Sequence, residues 1–213
     1  MEYTFVIGEE KMKSTGKINV NEGLCYYRRQ FLQLMAGIGF GGFLVEKAEG
    51  TEINKVEFKP FDKDDKLDIG NRGEEILQKA YELGYKYEEE HKGCARCTVA
   101  ALQDSIGFIP VDDDLFRAAS CLDGGATPTK KASCGAFTGA GMIIGWTCGT
   151  QRFGDNAFPR ELIHKVHDRF VEEYGSVICE IVREKSEENC PEVVGKAARW
   201  TAEILLKQFT NCG

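Results

Sequence analysis

The stretch SCGAFTGAGMIIGWTCG, residues Ser133–Gly149, decides the fold of this chain. It carries no charged side chain and no proline, and its length suits one helix. Gly135, Gly139, Gly141 and Gly145 interrupt it, and each glycine costs a helix about 1 kcal/mol relative to alanine. Because glycines four residues apart clear one face of a helix, the spacing predicts that another backbone approaches this helix closely.

The same glycine spacing occurs in membrane helices that form dimers. A membrane-spanning helix needs about 20 predominantly apolar residues, whereas this stretch is diluted by Ser133, Thr138, Thr147 and two cysteines. The composition therefore favours a buried central helix over a membrane span. Cys134 and Cys148, near the two ends of the helix, are expected to lie inside the protein.

Composition limits the classes of function that this chain can have. The chain has 213 residues, a hydrophobic content of 42% and a net charge of −7. Its length allows one domain of ordinary size plus an N-terminal segment. The negative charge argues against a nucleic-acid or anionic-membrane binder, because both need concentrated positive charge. The acidic runs at residues 62–65 and 88–90 are interpreted as solvated faces, since neither has the spacing of a metal-binding loop.

The N-terminal segment has the features of a twin-arginine export signal. Arg28 and Arg29 are followed by a polar residue and by an uncharged run over residues 31–45. An ordinary N-terminal helix with a basic start is the alternative. We predict an export-signal-like segment at residues 1–50, a linker at 51–70 and a helical, cysteine-rich domain at 71–213. Export by this route predicts a periplasmic or extracytoplasmic location.

From residue 71 onward, apolar residues recur with a helical period, and we find neither a convincing strand nor a repeat. Helices are predicted to begin at or near residues 71, 94, 115, 133, 158, 176 and 190. Aspartates at 112–114 can cap the third helix, Ser176 the sixth, and Pro191 suits the first turn of the last. The class predicted is all-α, a helical bundle around the central glycine-rich helix.

Nine cysteines are a high number for this length, and the odd count leaves at least one thiol unpaired in a fully oxidised monomer. Cys94, Cys134, Cys179 and Cys190 each fall at or near the start of a predicted helix. The free N–H groups and partial positive charge of a helix N-terminus lower the pKa of a thiol and favour thiolate, which is both metal ligand and redox nucleophile. Four such sites on four helices could converge in the core of a bundle.

Cys94 and Cys97 form a C-x-x-C pair that fits either a redox dithiol or half of a zinc site. The sequence contains no second C-x-x-C, no H-x3-H, no C-x-x-C-H haem motif and no C-x2-C-x2-C ferredoxin run. His164 and His167 share a helix flank and could ligate a metal, as could His91. Surface histidines without a metal are the commoner interpretation of such residues.

Four motifs in order resemble the redox-active family named for its C-GCAxxG-C-C cysteine pattern, and the resemblance covers residue 71 to the C-terminus. The residues that carry it are Gly93-Cys94-Ala95 with Ala100-Ala101-Leu102-Gln103; Cys134-Gly135-Ala136-Phe137-Thr138-Gly139-Ala140; Tyr174-Gly175-Ser176 before Cys179; and Cys190 with the helix that follows it. The chain is also similar to the non-haem part of split-Soret cytochromes.

This resemblance implies a helical, homodimeric fold that holds an iron–sulfur cluster of undetermined nuclearity. Carried over position by position, it implies Cys94, Cys134, Cys179 and Cys190 as the cofactor and metal ligands. Cys97 is then an alternative ligand or a dithiol partner. Haem is not implied, because the attachment motif is missing. A second electron-transfer protein is the implied partner.

Three functions follow from these observations. The first is an exported redox-active protein that transfers electrons through a cysteine-bound iron–sulfur cluster. The second is a thiol–disulfide redox protein that uses Cys94 with Cys97, or Cys179 with Cys190. The third is a non-catalytic, metal-stabilised interaction subunit. We assign no catalytic residue, because no nucleophile–histidine–acid set and no phosphate-binding glycine loop is visible in the sequence. Membrane contact is expected only through the N-terminal segment, if it stays attached.

Overall fold

A computed structural model describes residues 4–7, 10–13, 58–126 and 128–211, and the chain divides into two compact units, Met1–Asn54 and Lys55–Gly213. In the first unit, strand β1 (Thr4–Ile7) pairs antiparallel with strand β2 (Glu10–Lys13). This pair of strands was not predicted from the sequence. The β-branched and aromatic residues of β1 favour an extended backbone. Residues 28–45, on which the export-signal prediction depends, lie outside the described residues.

The described part of the second unit contains seven α-helices and one short 3-10 helix. They are α1 (Gly73–His91), α2 (Cys94–Ser105), α3 (Asp113–Ala118), the 3-10 helix (Ala119–Cys121), α4 (Gly135–Cys148), α5 (Ala157–Tyr174), α6 (Cys179–Lys185) and α7 (Cys190–Phe209). Within this unit the described residues form only two isolated β-bridges, Leu67 with Thr210 and Ser133 with Ile178. The predicted all-α class is confirmed.

Helix α4 is the central element of the bundle. It packs against α2, α5 and α7, and its residues Ala136, Ala140, Ile143 and Ile144 are at most 1% exposed. The prediction of a buried, glycine-rich central helix is therefore confirmed. None of the helices in the described ranges is both long enough and apolar enough to cross a membrane.

Gly139 sets the distance between α4 and α2. A Cβ atom at this position would lie 2.6 Å from the carbonyl oxygen of Ala95 and 3.0 Å from the Cβ of Thr98. The close backbone approach that the glycine spacing predicts therefore occurs on this side of α4. Gly145 is different, because it is exposed and a Cβ atom there would meet nothing within 4 Å.

The two glycines lead to opposite predictions for the same substitution. We expect Gly139→Ala to lower the free energy of unfolding by about 1–3 kcal/mol, since the new methyl group would collide with backbone that cannot move independently. We expect Gly145→Ala to raise it by about 0.5–1 kcal/mol, since alanine is the better helix former and has room. Urea denaturation of both variants under reducing conditions measures the difference. Equal stabilities would contradict the close approach of α2.

Local capping follows the sequence in most places. Asp112 caps α3 by accepting a hydrogen bond from the backbone N–H of Leu115 at 2.8 Å. Gly175 ends α5 with φ +75°, in the left-handed region that favours glycine. Ser176 does not cap α6 as predicted. Its hydroxyl accepts the backbone N–H of Ile178, the residue before the helix, at 3.0 Å.

Residues 58–70, the latter part of the predicted linker, are attached to the helices. The backbone N–H of Phe61 donates to the carbonyl oxygen of Thr147 at 2.8 Å, and that of Leu67 donates to the carbonyl oxygen of Phe209 at 2.7 Å. The rings of Phe61 and Phe209 lie 5.2 Å apart. The boundary between the compact units falls earlier, after Asn54. Residues 51–57 lie outside the described part of the chain.

Candidate functional site

The four cysteines singled out by the sequence stand at the starts of four helices. Cys94, Cys179 and Cys190 are the first residues of α2, α6 and α7, and Cys134 immediately precedes α4. Backbone hydrogen bonds join the segments that lead into α4 and α6. The N–H of Cys134 donates to Val177 at 2.7 Å, and the N–H of Cys179 donates to the carbonyl oxygen of Ala132 at 2.9 Å. These bonds bring two of the helix starts side by side.

All four of these cysteines line one cavity of about 110 Å³, which we name the cysteine cavity. Its other lining residues are Glu88, Gly93, Asp123, Gly124, Val182, Arg183 and Val193. Cys94, Cys134 and Cys179 are buried and Cys190 is half-buried. The predicted convergence of four thiols that are far apart in sequence is therefore what the structure shows. Whether these thiols bind a cofactor stays a prediction.

Cys94 and Cys134 interact directly, since their side chains share a hydrogen bond. Gly135 permits it, because a Cβ atom there would lie 2.4 Å from the Cys94 sulfur. The hydrogen bond from Cys134 and a backbone hydrogen bond from Gly124 hold the pKa of Cys94 below its ordinary value, although burial opposes them. The same thiol–thiol bond, together with burial, raises the pKa of Cys134. Cys94 is therefore the thiol of this pair that ionises first.

Cys179 and Cys190 differ from Cys94 in their electrostatics. Burial raises the pKa of both thiols, and the positive charge of Arg183 opposes that rise at each of them. The expectation that a helix start lowers the pKa of all four thiols is thus wrong at Cys134, Cys179 and Cys190. At Cys179 and Cys190 the loss of water around the thiolate outweighs the favourable effect of the helix terminus, and at Cys134 the hydrogen bond with Cys94 raises the pKa further.

Two buried polar atoms at the cysteine cavity have no hydrogen-bond partner. They are Oε2 of Glu88 and Nε of Arg183. The other such atoms among the described residues are the Trp146 Nε1 and the Tyr174 hydroxyl. A buried polar atom without a partner is costly and calls for an explanation. Four sulfur donors, an unpaired cationic N–H group and an unpaired carboxylate oxygen around one cavity fit an inorganic group with metal and anionic sulfide atoms.

The thiols are too widely spread for one small ion. Among the described residues, the single group of three or more His, Cys, Asp or Glu side chains whose ligand atoms lie within 4.8 Å of one another is His164, His167 and Asp168 on α5. Four thiolates around one tetrahedral zinc ion, each bonded at about 2.3 Å, have sulfur atoms about 3.8 Å apart. The cavity volume also far exceeds the roughly 10–15 Å³ that one water molecule needs. The arrangement therefore suits a polynuclear centre better than a mononuclear one.

Cys97, the second cysteine of the C-x-x-C pair, does not line the cysteine cavity. It lines a separate cavity of about 270 Å³ together with Tyr87, His91, Lys92, Arg96, Ala100, Asp104 and Phe116. Its thiol shares a hydrogen bond with the carboxyl group of Glu88. Burial and the charge of Glu88 raise the pKa of Cys97 to about 12. Cys94 and Cys97 of the C-x-x-C pair therefore line two different cavities.

The remaining cysteines lie elsewhere. Cys121 is exposed, and Cys148 is buried at the end of α4, where its thiol donates to the carbonyl oxygen of Ile144 at 3.3 Å. Cys25 and Cys212 lie outside the described residues. His164 is exposed and His167 half-buried, on α5 rather than at the cysteine cavity.

Three residues at the site, Glu88, Arg183 and Asp123, were not predicted from the sequence. The interpretation of residues 88–90 as a solvated face is wrong for Glu88, which is only 5% exposed. The burial of Glu88 could have been predicted, because Glu88 continues the buried stripe of Ile76, Ala80 and Gly84 along α1. No comparable pattern in the sequence marks Arg183 as a residue of the site. Asp123 accepts hydrogen bonds from the backbone N–H of Ala95 at 2.7 Å and from Arg96 at 3.2 Å, and so caps α2, where Gly93 cannot.

Comparison with known proteins gives one match. The family model described as "Putative redox-active protein (C_GCAxxG_C_C)" matches residues 92–204, more than half of the chain. This range contains all four cysteines of the cysteine cavity. Searches of curated proteins and of solved structures found no match. The chain therefore belongs to the C_GCAxxG_C_C family of redox-active proteins.

Proposed function

We propose that this protein is an exported electron-transfer protein that binds an iron–sulfur cluster through Cys94, Cys134, Cys179 and Cys190. One observation carries the proposal: these thiols, from four separate helices, line a single cavity. Membership of a redox-active family supports the general chemistry. When bound, such a cluster would supply one-electron oxidation and reduction.

The residues around the cavity have distinct parts in this proposal. Cys94, whose pKa is lowered, is the thiol that ionises most readily, and metal binding would displace the protons from the other three thiols. Arg183 places a positive charge and a free N–H group beside Cys179 and Cys190, where negative charge would accumulate. Hydrogen bonds and positive charge near sulfur stabilise the more negative, reduced form of a cluster.

The composition of the purified protein tests the proposal. We expect anaerobically purified protein to be brown and to contain iron and acid-labile sulfide in about equal amounts. Chemical reduction should then produce a low-temperature EPR signal that is absent from a protein treated with an iron chelator. Colourless, iron-free protein after anaerobic reconstitution with iron and sulfide would overturn the proposal.

A dithiol function is the second candidate, with a pair that differs from those predicted. The hydrogen bond between Cys94 and Cys134 favours it, because it joins a thiol of lowered pKa to a second thiol. Cys97 lies in another cavity, which disfavours pairing of Cys94 with Cys97. Iron-free protein in which mild oxidation protects Cys94 and Cys134 from alkylation, reversibly with thiol reductants, would support this candidate instead.

Export and assembly are also part of the proposal. The paired Arg28 and Arg29 before an uncharged run support a twin-arginine route to a periplasmic or extracytoplasmic location. Cell fractionation of the chain with both arginines changed to lysine tests that route. A second electron-transfer protein is the proposed partner, and a homodimer the proposed assembly, which light scattering of the purified protein measures.

A further inference from the structure

Glu88 is a buried carboxyl group at the wall of the cysteine cavity. It lies in the last part of α1, is 5% exposed and has an Oε2 atom without a hydrogen-bond partner. Its neighbours Glu89 and Glu90 are exposed. Taking a carboxyl group out of water without a full set of partners is unfavourable, so a residue that serves only packing would be apolar here.

The charged groups around Glu88 do not form an ion pair with its carboxyl group. Lys92 and Arg96 favour its ionised form and Asp123 opposes it, while burial raises its pKa. Arg96 is bound to Asp123, and among the described residues no ion pair includes Glu88. The described protein atoms therefore leave one oxygen of this carboxyl group free at the cavity that holds the four thiols.

The Cys97 thiol lies beside the Glu88 carboxyl group, close enough for each group to shift the pKa of the other. A thiol can donate a hydrogen bond to a carboxylate oxygen. Cys97 is one helical turn after Cys94 but lines the other cavity. The fifth cysteine near the site therefore contacts the carboxyl group instead of adding a fifth sulfur to the cysteine cavity.

We propose that Glu88 supplies an oxygen ligand to the iron–sulfur centre, and that Cys97 is a positioning residue that orients Glu88 for this role. The inference rests on the proposed function. A carboxylate oxygen is a harder ligand than thiolate, so it gives the iron atom it binds a different electronic environment. One iron site should then be distinguishable from the rest and more readily lost to a chelator.

Glu88→Gln tests the ligand, because glutamine keeps the size of the side chain but binds iron poorly. Glu89→Gln, on the adjacent exposed residue, is the matched control. We expect Glu89→Gln to reproduce the Mössbauer and EPR spectra of the unchanged protein. In Glu88→Gln we expect the distinct iron doublet to disappear and iron to be lost to a chelator about tenfold faster, or not to be retained by the folded protein at all.

Cys97 is tested by two substitutions. Cys97→Ser retains a hydrogen-bond donor and should keep the spectrum of the unchanged protein, whereas Cys97→Ala should change it in the same direction as Glu88→Gln. Circular dichroism of each variant confirms that it is folded. A cluster-bearing Glu88→Gln protein whose spectra superimpose on those of the unchanged protein would overturn this inference and leave the proposed function standing. Absence of iron from the unchanged protein would overturn both.

Discussion

Cys134→Ser is expected to weaken iron binding sharply while leaving the fold intact. Serine is nearly the same size as cysteine and its hydroxyl can still hydrogen-bond to Cys94, so α4 should keep its position. Its oxygen, however, is a harder and more weakly ionised ligand than thiolate sulfur. We expect the affinity for iron to fall at least tenfold, which corresponds to about 1.4 kcal/mol or more. Iron and sulfide content after anaerobic reconstitution measures the loss.

Cys148→Ser is the matched control, because it makes the same change at the other end of the same helix. Cys148 is 4% exposed, as is Cys134, but it lines neither of the two cavities described above. Its bond to the carbonyl oxygen of Ile144 can be made equally well by a hydroxyl group. We expect normal iron content in this variant. Equal iron content in the two variants would show that Cys134 is not a ligand.

The sequence contains most of the information about where the thiols lie along the helices. The starts of α2, α6 and α7 at Cys94, Cys179 and Cys190 could be predicted from the helical period of the residues that follow, with Pro191 in the first turn of α7 as a further local signal. Their meeting at one cavity depends on the packing of four helices. Bonds between segments distant in sequence, such as that between Cys134 and Val177, have no local signature.

Charges at the site were harder to predict than thiols. A run of three glutamates looks like a solvated face, and two of the three residues are indeed exposed. Glu88 alone faces inward, because the helical period places it on the stripe of Ala80 and Gly84. Likewise, the partial positive charge at a helix N-terminus predicts a lowered thiol pKa at every helix start. At Cys179 and Cys190, however, burial raises the thiol pKa instead. Burial is a tertiary property that residue type alone does not give.

Phe209→Ala is expected to cause the largest loss of stability. Phe209 ends α7 with its side chain fully buried, and its ring lies 5.2 Å from that of Phe61 and 6.0 Å from that of Phe158. It therefore joins the last helix to α5 and to the segment that precedes α1. Removing a buried aromatic ring and leaving a cavity typically costs about 3–5 kcal/mol. Thermal and urea unfolding under reducing conditions measure this loss.

Phe153→Ala provides the control for ring removal, since Phe153 is 95% exposed and we expect a change within about 0.5 kcal/mol. Phe209→Ala should also make residues 62–66 more sensitive to protease, because Phe61 loses its ring contact there while the backbone bond from Leu67 has less support. Iron content per folded molecule should not change, as Phe209 does not line the cysteine cavity. Unchanged stability and protease resistance in Phe209→Ala would mean that residues 58–70 behave as the linker that the sequence suggests, in spite of these contacts.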